Sequence, residues 1–593
     1  MPERNQRYAE LIAESMSKYL NNHRRVSFEL LEVSKYATTT PGKATDSHDA
    51  SSLLRSCHAL LNLFEGLLSG SVNVMLKCIE EFWEAEKLAN DSRDKEWIGN
   101  RLSRALSYLF GGMLQVFTHS YVKAGVNLTV GFKLCRDLEK DILEYSGPNP
   151  EIIRSFGFML LGLWNMLSVI LPSSISTIGD YLGFGVSKEK YYQYTETCNH
   201  ENGQFAMVSN LIFVYFVINS KNFLFEKATS AELAKCRVLI DSCILKGPHS
   251  LVVQVLHASV CLGEGSPKNA ISTLNAALSF PSTVANLDRP EWATMGLATY
   301  FKLGNSHLCN LDFAAARLAF LQASKCLERS SSWPYIPYMR TLEGLCYLAS
   351  SPVEYKEIAL TIFSDTFIDR DLAKQPVILP GDKWASRVGY EQTQMLLAPP
   401  LETNPVVEIL FAMLTCLYTF EKVDVGKLGP FISGLKKTID RKKKSILVAK
   451  FQTVLGEFYR LAREWDKAVA AFDDAVATMD TLIKEGSTDD PDNILGFALV
   501  YQGAALVSSG ELETAGEVLV DLNQVISHTR YGGIFKSVFA APKIMTPKPG
   551  NIVDLKGGEL ELILNFRRNG LKKRIDALTL DQSNASTKAR LES

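Results

Sequence analysis

The residue types that most readily do chemistry are sparse along this chain, and their spacing does not assemble a site. A general base needs a second group to orient its ring, and no such partner accompanies His257 or His307, which fall where a packing helix would hold a hydrogen-bonded core histidine. Gly183-Phe184-Gly185 has two of the glycines of a phosphate-cradling loop but neither the third nor a preceding strand, so it predicts a helix end. The 11 cysteines run from Cys57 to Cys416 without a C-x-x-C pair and without histidines at zinc spacing. They predict small buried apolar residues in a reducing compartment, cytosolic or nuclear. No nucleotide, metal or nucleophile signature sits in the structural context it needs. The expectation is therefore no catalytic residue, no cofactor, no metal and no small-molecule substrate. Two basic clusters, Lys436-Lys437 with Arg441 to Lys444 and Arg567-Arg568 with Lys572 to Arg574, predict solvated helix ends; a nuclear localisation signal or a contact with acidic lipid is the alternative.

What the chain does carry is a spacing that organises helices. Leu455 to Ala475 places Leu455, Gly456, Tyr459, Ala468, Phe472 and Ala475 at the positions of a tetratricopeptide repeat. In that repeat two antiparallel helices cross closely, so small residues stand where backbones touch and large ones fill the gaps beside them. The same register recurs at Gly304, Ala316, Phe320 and Ala323, at Ala258, Ala270, Leu274 and Ala277, and more weakly at Gly503, Ala515 and Leu519. Nearer the N-terminus it recurs at Gly66, Cys78, Phe82 and Ala85, and at Gly112, Ala124, Leu128 and Gly131. Gly344 and Tyr347 begin a copy whose second helix is displaced.

At 593 residues the chain exceeds what one core supports, which suits an array that grows sideways. The expected fold is all-α, a tetratricopeptide-like helical solenoid. Its expected divisions are 1–52, an N-terminal helix and polar linker; 53–235, N-terminal repeats with apolar central helices; 236–526, C-terminal repeats; and 527–593, an irregular extension with a disordered tail. A hydrophobic content of 46%, a charged content of 22% and a formal charge of −2 are those of an ordinary globular protein. Without a basic excess, nucleic acid is not expected as a partner. The first residues carry charges where a signal peptide needs its apolar core.

Ser155 to Gly179 contains no charge, so a membrane span has to be weighed. Its continuous apolar part, Phe156 to Leu171, is shorter than the roughly 20 residues a span requires, and Pro172 and several serines follow. Together with Phe205 to Ile218 it predicts two buried helices packed on each other in the middle of the array. Contact of this surface with a lipid interface is the alternative.

The segment from Phe156 to Gln193, with Phe158, Leu167, Ser168, Leu171, Pro172 and Gly183-Phe184, resembles the tetratricopeptide-repeat protein 39 family, which includes the fungal inclusion-body clearance proteins. Trp333 to Tyr347 is similar to a later repeat of that family, and the resemblance spans roughly residues 55 to 530. It implies a non-enzymatic scaffold or adaptor for other proteins, with links to lipid droplets, the mitochondrial outer membrane and aggregate clearance. The chain departs from the family's pattern after Gly185, where Val186 and Ser187 precede Lys188.

Some tetratricopeptide arrays clamp acidic chaperone tails with lysine, asparagine and arginine on the inner helices. Here Phe301 stands at the first lysine position beside Asn305, Lys450 is followed by Val454 and Glu457, and Val255 and Ser259 fill the third copy. The expected use of the groove is for hydrophobic or helical segments, from a partner or from the chain itself, and not for chaperone tails.

Overall fold

The computed structural model describes residues 2–20, 27–31, 51–170, 188–220, 228–368, 380–397 and 404–527, with short breaks at helix ends and connectors, and part of 564–580. Among these residues the regular elements are helical and no strand occurs. The first block comprises α1 (Pro2–Leu20), α2 (Ser51–Ser69), α3 (Val72–Asp91), α4 (Ile98–Phe117), α5 (Tyr121–Leu143), α6 (Pro150–Ile170), α7 (Lys188–His200) and α8 (Phe205–Tyr215). The middle of the chain forms α9 (Ser230–Lys246), α10 (Leu251–Gly263), α11 (Pro267–Ser279), α12 (Pro281–Leu287), α13 (Ala293–Cys309), α14 (Phe313–Arg329), α15 (Ile336–Ser350) and α16 (Lys356–Ile368). Then follow α17 (Pro380–Leu397), α18 (Pro405–Thr415), α19 (Val425–Thr438), α20 (Ile446–Leu461), α21 (Trp465–Lys484), α22 (Ile494–Ser509) and α23 (Leu512–Ser527). The fold is an all-α array of paired helices, as the repeat spacing predicts.

The repeat register shows in the backbone. Seven places after the small residue of the first helix, four copies enter the left-handed conformation, at Gly265 (φ 73), Leu311 (φ 59), Arg463 (φ 61) and Gly510 (φ 96). The next residue then donates its N–H five places back, Ser266 to the Cys261 carbonyl, Asp312 to His307, Glu464 to Tyr459 and Glu511 to Leu506, at 2.8–2.9 Å. That pair of features is the Schellman ending, which satisfies carbonyls the helix leaves open and reverses the chain in few residues. Starts are fixed as deliberately: the Ser445 and Ser250 hydroxyls accept from the N–H groups of Val448 and Val253, and Thr229 with Glu232 forms a complete capping box.

Helix pairs cross where the small residues stand. A Cβ added to Gly304 would lie 2.5 Å from the Phe320 ring, one on Gly456 2.6 Å from Phe472, and one on Gly112 2.8 Å from Leu128. Each partner is sixteen positions on. At Gly344 the ring is that of Phe363, nineteen positions on, which is the expected displacement of the second helix in that copy. Gly503 departs from the expected pairing: the side chain against it is Leu571, not Leu519.

The two helices of a pair are buried differently. In α21 the buried positions form one stripe, Ala468, Ala471, Phe472, Ala475 and on to Leu482, whereas in α20 ten consecutive residues from Val448 to Glu457 are buried. The first helices α10, α18 and α22 are likewise buried on nearly all sides. A stripe indicates one covered face; all-round burial means the inner side of the array is covered too.

In the N-terminal half α6 packs against α7 and α8, with the Phe156 and Phe205 rings 4.6 Å apart, edge to face. Every side chain from Ser155 to Asn165 is buried. The uncharged stretch is thus apolar because protein surrounds it as far as Met166; positions 171–179, including the prolyl-seryl end, lie outside the described residues. No helix among the described residues is long and apolar enough to cross a membrane. The chain also folds back on itself: α2 packs against α13, and α1 packs against α2 and α10, with the Tyr19 hydroxyl donating to the Leu61 carbonyl at 3.3 Å.

Candidate protein-interaction groove

The inner-face positions of the first helices already have partners from this chain. Phe301 of α13 lies among aromatic rings, 5.9 Å from Phe320 and 6.2 Å from Tyr338, with Asn305 buried one turn on. On α20 the Lys450 ammonium, 1% exposed, donates to both carboxylate oxygens of Glu408 on α18 at 2.9 Å. It also lies 5.6 Å from the centre of the Phe411 ring. Val454 is buried, and the buried Glu457 accepts two hydrogen bonds from Arg460 at 2.6 Å, while Arg460 reaches Glu421 at 2.8 Å. Burial pushes the Glu457 carboxyl up against the pull of the Arg460 charge. On α10 the Ser259 hydroxyl turns back to the Val255 carbonyl at 3.0 Å. Lysine and arginine here are neutralised inside the fold, so they do not form a clamp for a peptide carboxylate.

Two segments of the chain itself line this surface. The first is α18, which packs against α15 and α20 and sets Phe411 6.4 Å from Phe497 of α22. The carbonyl of Leu414, in its last turn, accepts from the Tyr501 hydroxyl at 2.9 Å and from the Arg567 guanidinium at 2.9 Å. The second segment comes from the C-terminal extension. Its described positions from 564 to 580 are helical, and Leu564, Arg567, Leu571 and Ile575 are buried. Leu564 lies over Gly496 and Leu571 over Gly503, and the Arg567 guanidinium stands 4.6 Å from the Tyr501 ring centre and 5.6 Å from that of Phe497. The expectation of a groove filled by the chain itself holds over these residues.

This placement corrects one reading. Arg567 belongs to a basic cluster expected at a solvated helix end, yet it is buried at 6% exposure because two aromatic faces and a helix-end carbonyl replace its water. The 3, 4, 4 spacing of Leu564, Arg567, Leu571 and Ile575 is a helical stripe; an arginine inside it and the glycines and prolines before it hide the signal. Arg568 meets Asn523 at 3.3 Å, Lys436 lies 4.8 Å from the Tyr459 ring centre, and Lys444 donates to Thr481 at 2.8 Å.

The other residues singled out in the sequence do not converge. His257 and His307 are half-buried, and neither Nδ1 finds a hydrogen-bond partner among the described residues, contrary to the expected bonded core histidine. His307 Nδ1 lies 4.0 Å from Asp312, and burial lowers both rings below the ordinary histidine value. Gly183-Phe184-Gly185 lies outside the described residues. On the same helix as His307, the Lys302 ammonium is pushed down to about 8 by burial and by the charge of Lys422. No group of three or more metal-ligating side chains occurs among the described residues.

A buried polar cluster escapes the sequence reading altogether. His58 Nδ1 lies 3.1 Å from Glu81 Oε2, the Asn62 amide donates to both oxygens of Glu81 at 2.8 and 3.0 Å, and Arg55 reaches Glu84 at 2.5 Å beside them. Burial raises the Glu81 carboxyl, but His58, Asn62 and Arg55 together outweigh it and hold it below the usual carboxylate range. Phe28 closes the cluster, its ring 4.7 Å from that of His58. The histidine is sealed from solvent and the thiol beside it, Cys57, is fully buried with its pKa pushed up, so the arrangement pins α2 to α3 and exposes no nucleophile. Its partners lie 19 to 23 residues apart in sequence, on two helices, a spacing that carries no motif.

No protein-family model and no curated protein matches the chain. Solved structures similar to it include a human IFIT1 dimer with m7Gppp-AAAA, at 12% identity and a TM-score of 0.26, covering 86% of this chain and 95% of that one. A monomeric IFIT1 mutant with Gppp-AAAA is similar at 13% identity and a TM-score of 0.25, covering 86% of this chain and 99% of that one. The likeness concerns the kind of fold. Those structures hold Gppp-AAAA or m7Gppp-AAAA, against the expectation that nucleic acid is not a partner, and that expectation is withdrawn on its own ground. Its ground was the charge of −2, which sums over the whole chain and describes no single surface.

Proposed function

We propose that this chain is a non-enzymatic helical-repeat scaffold or adaptor that binds other proteins, acting in the cytoplasm. The observation that carries the proposal is the inner face of the C-terminal repeats: its charges are paired internally, as in Lys450 with Glu408, while its apolar and glycine surfaces accept helices, α18 and the 564–575 segment. A surface that packs helices without free charge is suited to amphipathic helices and poorly suited to acidic tails. The repeat blocks 53–235 and 236–526 are the two working surfaces. The resemblance to the tetratricopeptide-repeat protein 39 family supports a role in lipid-droplet, mitochondrial outer-membrane or aggregate-clearance processes, reached through protein partners. Proximity labelling in cells combined with alkaline carbonate extraction tests this. Protein partners recovered from a chain that extracts freely are expected; retention of the chain in the carbonate pellet, or partners lost on ribonuclease treatment, would replace the protein-scaffold reading with a lipid-bound or RNA-bound one.

A further inference from the structure

The contact between α22 and the C-terminal segment has the form of a docking site, and not merely of a chain end at rest. Gly496 and Gly503 stand two turns apart on one face of α22, and Leu564 and Leu571 stand two turns apart on the segment. A Cβ on Gly503 would lie 2.6 Å from Leu571 Cδ2, and one on Gly496 would fall inside the van der Waals shell of Leu564 Cδ2. The two contacts ascend together, so the helices run parallel, and only glycine at both positions lets a helix backbone come this close. Between the leucines Arg567 is read three ways: by the Tyr501 face, by the Phe497 face and by the carbonyl of Leu414. That carbonyl belongs to the last turn of α18, where a helix leaves acceptors open for an outside donor. The Arg567 charge also acts on the buried Glu457, opposing in small part the rise that burial imposes on its carboxyl. The groove thus has two flat apolar seats and one cation seat between them, set at helical spacing.

Among its described residues the occupant meets the seat along one face. Of its described residues four are buried, while Lys572, Arg574 and Asp576 to Leu580 are exposed, with Leu580 61% exposed. In sequence it follows α23 after residues 528–563. A segment of the same chain competes with outside ligands as an intramolecular one.

Resting on the scaffold reading above, we propose that this groove is a docking site for an amphipathic helix of a partner protein carrying Leu-x-x-Arg-x-x-x-Leu-x-x-x-Ile, and that residues 564–575 occupy it as a displaceable stand-in. The bound partner helix lies parallel to α22, its arginine between Tyr501 and Phe497. The chain's own segment sets the threshold: weak helices with the pattern are turned away, and strong ones displace it.

The test uses the full chain and two fluorescent peptides, one of residues 560–580 and one with the same four residues at the same spacing in an otherwise unrelated helix-forming sequence. Leu564→Asp with Leu571→Asp empties the groove. Both peptides are expected to bind this variant saturably and to bind the unaltered chain at least tenfold more weakly, and replacing the peptide's arginine by alanine should weaken binding tenfold or more. Gly496→Ala with Gly503→Ala closes the seats while favouring the α22 helix, so its helical circular dichroism should be kept and binding lost. Failure of the 560–580 peptide to bind the emptied, folded variant would overturn the docking site. Binding of that peptide but not of the unrelated one would overturn the partner helix and leave a purely internal contact, and a concentration-dependent dimer of the emptied variant would replace the partner with a second copy. If labelling still recovers protein partners when the peptides fail, the scaffold reading survives and only this groove is lost.

Discussion

Lys450 and Glu408 face each other across the inner side of the C-terminal repeats, the ammonium 2.9 Å from each carboxylate oxygen and both side chains buried. Removing one partner leaves a charge with neither water nor counterion. Lys450→Met or Glu408→Leu alone should therefore destabilise the chain by about 3–5 kcal/mol, while the double replacement should restore most of that or exceed the parent. Denaturant titration of the three variants measures the coupling; additive losses would show that the pair does not act as a unit.

Glycines in this array divide by what a methyl group would meet. Gly456→Ala gains helix propensity of up to about 1 kcal/mol but pushes a Cβ to 2.6 Å from the Phe472 ring, and overpacking of that kind costs about 1–3 kcal/mol, so net destabilisation is expected. Gly516→Ala meets nothing within 4 Å and should stabilise by about 0.4–1 kcal/mol. Opposite shifts of the melting midpoint in the two variants check the assigned crossing.

Leu311 and Arg463 hold the left-handed corner that glycine holds in the neighbouring copies at Gly265 and Gly510. A side chain there costs roughly 1–2 kcal/mol, offset in part by the extra chain entropy that glycine loses. Arg463 is exposed, so Arg463→Gly should stabilise by up to about 1 kcal/mol, read as a higher denaturant midpoint with an unchanged slope, whereas Leu311 packs against the core and its replacement by glycine should give no such gain.

Glu81 supplies a pH dependence. Its carboxyl is held below the ordinary value of 4.5 in the fold, so the unfolded chain binds the proton more tightly. The stability it contributes is present above pH 4.5 and is lost as pH falls through the folded-state value. Glu81→Gln should be less stable than the parent at neutral pH, with the gap closing in acid; a gap independent of pH would mean that the His58 cluster acts through packing alone.

The repeat was legible because it depends on size at fixed spacing: Gly456 with Phe472 and Gly304 with Phe320 are each sixteen apart, and the Schellman corner follows seven after each glycine. The burial of Phe156 to Trp164 was legible from its length and lack of charge. What was hidden lies between elements remote in sequence. Nothing near Lys450 marks Glu408, 42 residues away, as its counterion, and nothing near Leu414 marks Arg567, 153 residues on, as a donor to its carbonyl. Sequence spacing reports contacts within a helix pair; the inner groove is made of contacts between pairs.

The packing of α2 on α13 joins residues 51–69 to residues 293–309 and turns a row of repeats into a loop with a clasp. A row without one frays from its ends, each pair loosening independently of distant pairs. With the clasp shut, fraying that starts at α2 must also break a contact more than two hundred residues away, so the loosening of one end is coupled to the other. The same clasp slows assembly, since it closes only after a long segment has been gathered. The part of the chain from α2 to α13 therefore trades the quick, stepwise ordering of an open array for a closed contact that ties its two ends together.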